Sequence, residues 1–178
     1  MRASNLLGIS LVIFDHKKGS FVAGVKPRVK ALKVLSEEEH KALIELISTK
    51  NYEPGDSLHK KFTRSKKQAY GQVFECKNEP RSDLFFFFLV VSLGVKLFEL
   101  KTLMTVLLEV VLTYFPHGFT TQREGYALLD CLNPEQSIIK GDKWKLGEKE
   151  IPLRHLKILA SHYGITDNVQ DIISTQFE

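Results

Sequence analysis

Between Lys60 and Tyr70 the chain runs Lys-Lys-Phe-Thr-Arg-Ser-Lys-Lys-Gln-Ala-Tyr, five cations interleaved with two aromatic rings. Ammonium and guanidinium groups grip phosphate oxygens, and rings set between them stack on unpaired bases. Lys60, Lys61, Arg64, Lys66 and Lys67 are therefore candidate contacts for an anionic partner, either RNA or single-stranded DNA, or an acidic membrane surface. The same pattern describes a two-stranded ribbon with an apolar inner face and a solvated outer one, which is the simpler reading. Other reactive groups are sparse. His155 and His162 stand seven apart and share a face if their segment is helical, but no neighbouring thiol or carboxylate completes a metal donor set. Cys76 and Cys131 are too few for a disulfide framework or a four-thiolate zinc site. One bridge between them stays open; two buried thiols are the simpler reading, and spacing does not bring either to a histidine. There is no Gly-rich phosphate loop, His-Glu-x-x-His, Cys-x-x-Cys or Gly-x-Ser-x-Gly. No catalytic residue, metal ligand or cofactor is expected.

The elements that must position these groups follow from hydrophobic period. Leu84-Phe85-Phe86-Phe87-Phe88-Leu89-Val90-Val91 is continuously apolar and rich in aromatic and β-branched residues, which predicts a strand covered on both faces. Past Gly94, Leu100, Leu103, Met104, Leu107, Leu108, Val111, Tyr114 and Phe115 recur at three- and four-residue spacing, which predicts a helix over 97–115, ended by Pro116. At the other end, Leu6 to Phe14 and Phe21 to Val25 predict a hairpin turning through Asp15 to Gly19. The segment from Pro27 to about Leu35 is basic and poorly patterned and reads as a loop or a frayed lead-in. Ser36-Glu37-Glu38-Glu39 has the form of a capping box and opens a helix with an apolar stripe at Leu43, Leu46 and Ile47. Two-residue alternation then predicts two short strands, near 61–64 and 69–76, joined by a turn at Ser65-Lys66-Lys67. Asn78 to Asp83 reads as a loop.

The fold class is thus α/β in the α+β sense: a five-stranded, mainly antiparallel sheet flanked by helices in the order ββαβββα(α). That order, carried by the opening hairpin, the helix at 37–48 and the strand-to-helix pair at 84–115, resembles the longin domain of membrane-traffic and small-GTPase regulatory proteins. Roadblock-type and profilin-like domains have related arrangements. The resemblance is one of element order and covers about residues 5–132, with 123–132 as the last helix. The chain thus reads as a longin-like α/β domain at 1–132 and a small, mainly helical C-terminal extension with a hairpin at 133–178, packed on it.

In that extension, 144–149 suggests a small hairpin, and Leu153, Leu156, Ile158, Leu159 and Tyr163 suggest a helix stopped by Gly164, with a last helix near 167–175. The pattern around Gly164 has some likeness to a helix-turn-helix, but the second helix offers Asp167 and Asp171 and no cation to a phosphate backbone.

Charge is unevenly placed: residues 1–67 stand at +7 and residues 68–178 at −3. The N-terminus lacks the order of a signal peptide, and Lys96, Glu99, Lys101 and Glu109 argue against a membrane span. A cytoplasmic protein is expected, peripheral to a membrane on the longin reading. The function implied by the resemblance is a non-enzymatic adaptor or regulator that binds another protein, a small GTPase or a membrane-associated complex, with homo- or heterodimerisation open. The alternative is a nucleic-acid-binding module working through 60–67.

Overall fold

The computed structural model describes residues 6–26, 31–77, 81–101, 104–105, 118–131, 139–140, 143–146 and 149–152. In chain order the elements are β1 (Leu6–Asp15), β2 (Gly19–Lys26), α1 (Ala31–Val34), α2 (Glu37–Ile47), β3 (Ser57–Phe62), β4 (Lys67–Cys76) and β5 (Asp83–Ser92). There follow α3, with helical residues 97–101 and 104–105, then α4 (Gln122–Cys131) and the strands β6 (Ile139–Lys140), β7 (Lys143–Leu146) and β8 (Lys149–Pro152).

β1 to β5 form one sheet in the order β2-β1-β5-β4-β3, every pair antiparallel. The apolar octet of β5 takes the middle place because both its faces need cover. Val12, Leu58, Ala69, Val73, Phe86 and Phe88 turn to one side, where Val34 and Leu35 and the Leu43 and Ile47 stripe of α2 meet them. Phe85, Phe87 and Phe74 turn to the other and gather round Phe119, with ring centroids 5.2–6.4 Å apart. Phe85, Phe86 and Phe88 are almost wholly buried; each contributes about 1.5–3 kcal/mol of transfer free energy. α4 lies close on this second face because Gly125 has no side chain: a Cβ there would sit 2.7 Å from the Phe85 ring.

The capping box forms as its residues require. The Ser36 hydroxyl accepts from Glu39 N at 3.1 Å and the Glu39 carboxylate from Ser36 N at 2.9 Å. Three local readings need correction. The segment to Leu35, expected as a loop or frayed lead-in, contains α1. Four residues are too few to show a period, and α1 is held by packing, with Val34 against the backbone at Gly8. The turn between β3 and β4 is Thr63 to Lys66, closed by Lys66 N donating to Thr63 O, so Arg64 lies in the turn and Lys67 opens β4. Asp83 begins β5 rather than ending a loop.

α3 starts where the period changed, and Leu100 and Met104 are buried as the stripe requires. The rest of that stripe, from Leu107 onward, lies outside the described residues, as do the helices expected near 153–163 and 167–175. Leu100→Ala should cost about 2–5 kcal/mol in urea melts, as large-to-small core changes do. Thr105→Ala, which removes only a hydroxyl bonded to Lys101 O of its own helix, should stay within about 0.5 kcal/mol. In the extension, β6, β7 and β8 form a three-stranded antiparallel sheet, so its described part is strand and contains the expected hairpin. No helix among the described residues is long and apolar enough to cross a membrane.

Candidate functional site

Strand alternation sorts the five candidate cations into different environments. β3 is an outer strand of the sheet and, among the described residues, pairs only with β4. Lys60 stands opposite Ala69, on the α2 side, while Lys61 stands opposite Gln68, on the other face, where Gln68 reaches the Val95 carbonyl. Arg64 and Lys66 follow in the turn, where Lys66 takes a left-handed backbone (φ 58°). Lys60, Lys61, Arg64 and Lys66 are all exposed. Among the described residues none of them is in an ion pair, and residues 57–74 contain no acid. The strand is well anchored: Leu58 is buried, and the His59 ring donates to Gln68 Oε1 at 2.8 Å. Gln68 in turn donates to the carbonyls of Ser92, Leu93 and Val95, which ties β4 to the β5–α3 turn.

Lys67 is a different case. It is buried, and its Nζ donates to Glu39 Oε1 at 2.7 Å and to the carbonyls of Lys33 and Val34 at 3.2 Å. Glu39 also accepts from the Ser65 hydroxyl at 2.6 Å. One carboxylate thus joins the helix cap, the β3–β4 turn and the end of α1, and Lys67 is a strut rather than a surface contact. Burial pushes the Glu39 carboxyl up, but the Lys67 ammonium, Ser36 N–H and Ser65 hydroxyl together outweigh it and hold the group at about 2. A carboxyl held below its ordinary 4.5 adds stability that is present above that value and lost as pH falls toward 2. Discounted for screening at a site open to solvent on one side, the contribution is about 1–2 kcal/mol. Glu39→Gln should therefore destabilise at pH 7, and urea melts at pH 3 should show less than half that difference.

A second ionisable cluster sits at the opposite end of the sheet. Asp15 ends β1, His16 begins the hairpin turn and Asp83 begins β5, so antiparallel pairing of β1 with β5 brings them together. One ligand-capable atom from each lies within 4.8 Å of the other two. Asp83, wholly buried, accepts on Oδ1 from His16 Nδ1 at 2.8 Å and His16 N at 3.2 Å. Gln122, the first residue of α4, donates through Nε2 to Asp15 Oδ2 at 2.8 Å and Asp83 Oδ2 at 3.1 Å. Asp15 Oδ1 accepts from the N–H groups of Lys17 and Lys18. The Lys17 N–H first, then the Gln122 amide, hold the Asp15 carboxyl below its ordinary value. Asp-His-Asp is a plausible metal donor set, yet all four carboxylate oxygens here already accept hydrogen bonds from the protein. The cluster is a polar clamp that joins the first hairpin, the central strand and α4. The bond from His16 Nδ1 to Asp83 leaves Nε2 buried and, among the described residues, without a hydrogen-bond partner.

Cys76 is a free, fully buried thiol, so it is not bridged to Cys131. Burial, then the charges of Asp83, Glu124 and Glu75, push it up to about 12, far from the thiolate a nucleophile needs. The side chain of Cys131, and His155 and His162, lie outside what is described. The clamp was not legible beforehand, since His16 and Asp83 are 67 residues apart and Gln122 a further 39. The one local signal was an acid placed directly before a wholly apolar run.

No protein-family model, curated protein or solved structure matches the chain.

Proposed function

We propose that this chain is a non-enzymatic protein-interaction module, an adaptor or regulatory domain of longin-like type, whose partner is a small GTPase or a membrane-associated complex. On this reading it works in the cytoplasm or at a membrane surface. The observation that carries it is the β3 edge, which no other described strand pairs, with four exposed cations that make no ion pair among the described residues. The other described charge clusters, at Lys67–Glu39 and at Asp15, His16 and Asp83, are turned inward as struts. The five-stranded sheet flanked by helices supports the longin comparison, and the high pKa of Cys76 speaks against thiol catalysis. The GTPase partner comes from the resemblance alone, because a fold does not determine function.

The same four cations favour one second reading, a single-stranded nucleic-acid module. Affinity capture by the full chain, with and without nuclease, followed by mass spectrometry and binding to candidate GTPases in GDP- and GTP-loaded states, separates the two. A protein partner that survives nuclease supports the module. Nanomolar RNA binding at physiological salt, with a log affinity against log salt slope that flattens by roughly 0.7 per lysine reversed, would replace it.

A further inference from the structure

We infer that the β3 edge takes an extended, acidic segment of a partner protein as a sixth strand. The inference rests on the interaction-module reading and names the chemistry of the partner. An outer strand turns alternate backbone N–H and C=O groups away from its one neighbour, and these form a ready template for another extended chain. β3 is such a strand, and it is held firmly from within by Leu58 and by the His59–Gln68 bond.

What selects the occupant is where the cations stand. Lys60 and Lys61 are consecutive, so they project from opposite faces of the sheet, Lys60 on the α2 side and Lys61 on the other. A membrane surface, or a phosphate backbone laid across one face, reaches only one of them. A paired strand reaches both, because its own consecutive side chains alternate in the same way and two adjacent acids meet the two lysines as cross-strand neighbours. Arg64 and Lys66 extend the positive charge beyond the end of the strand, over a stretch without a competing acid. The same lysines disfavour a second copy of this chain at β3, since self-pairing brings like charges together across the new ladder. Edge lysines commonly guard against indiscriminate pairing; here they leave acidic strands as the favoured guests.

The test uses the full chain and a displayed library of random 12-residue peptides selected at physiological salt, followed by anisotropy titrations of the best binder. Enrichment of adjacent Asp or Glu within β-prone sequence is expected. Binding should slow amide exchange within residues 57–62. Lys60→Glu and Lys61→Glu should each weaken the peptide, and the double variant should weaken it roughly tenfold or more. Lys41→Glu on exposed α2 surface should leave it unchanged. Lys60→Gln with Lys61→Gln, which avoids new repulsion, should give a smaller loss in the same direction, with all variants melting as the parent does.

No enriched peptide, enrichment without acids, sensitivity to only one of the two lysines, or unchanged exchange in β3 would each overturn the inference. A nuclease-resistant protein partner that binds the double variant as well as the parent would also overturn it while leaving the interaction module standing. Loss of every protein partner in favour of RNA would overturn both.

Discussion

Asp83→Ala should cost about 3–5 kcal/mol, the usual consequence of removing one member of a buried, hydrogen-bonded charged group. Against the roughly 5–15 kcal/mol that holds a domain folded, this leaves a protein close to its unfolding transition at room temperature. The size follows from what is stranded. His16 N, His16 Nδ1 and Gln122 Nε2 all lose an acceptor that is itself wholly buried, and each buried donor left unsatisfied costs about 1–3 kcal/mol. Asp83→Asn separates charge from shape. Its carbonyl oxygen can still accept from His16, but its amide hydrogens then face those of Gln122. Gln122 can turn its oxygen toward them only by giving up its bond to Asp15. Asn should therefore recover part of the loss and Gln122→Ala should cost less than Asp83→Ala. Urea denaturation of the three variants checks this order. Equal, small effects for all three would show that the cluster does not clamp the hairpin to β5 and α4.

Phe88→Ala is the other large effect, about 3–5 kcal/mol by the usual cost of truncating a buried aromatic ring. Phe88 stands in β5 opposite Gly71 of β4 and Ser10 of β1, wholly buried. Its ring lies over Gly71 so closely that a Cβ on Gly71 would come within 2.6–2.7 Å of two ring carbons. The glycine is there for the ring. Gly71→Ala should accordingly cost about 1–3 kcal/mol by overpacking. Combined with Phe88→Leu, which gives back some of that space, the cost should fall below the sum of the single changes. A double-mutant cycle from equilibrium melts measures the coupling, expected at about 0.5–3 kcal/mol for residues in contact. Strict additivity would mean that the strand pair relaxes and that Gly71 is not filled by Phe88.

How far each feature was legible depends on the range of its interactions. The eight apolar residues of β5 declare a doubly covered strand by composition, because so short a run rich in aromatic and β-branched residues fits a strand buried on both faces. The first hairpin and the α2 capping box are encoded within a few residues of themselves, through turn chemistry and through Ser36 and Glu39 three positions apart. α1 escaped, since a four-residue helix has no period and persists only where Val34 packs beside Gly8 and Lys67 meets its last carbonyls. Lys66 and Lys67 are chemically identical neighbours in a basic run. Only the left-handed turn at Lys66 and the start of β4 at Lys67 decide that one reaches water and the other reaches Glu39.

The amino-acid sequence by itself therefore determined the fold class, the order of the main sheet's strands and α2 along the chain, and a concentration of positive charge around 60–67. These are properties of period, composition and local hydrogen bonding, which nearest neighbours along the chain settle. Tertiary structure alone decided which charges are surface and which are internal, and that Asp15, His16, Asp83 and Gln122 meet. It also decided that β3 is an outer strand, paired among the described residues with β4 alone, so that Lys60 and Lys61 project from opposite sides of its edge. The physical reason is that burial and pairing are set by the order of strands in the sheet, which joins residues dozens of positions apart and leaves no periodic trace in the chain.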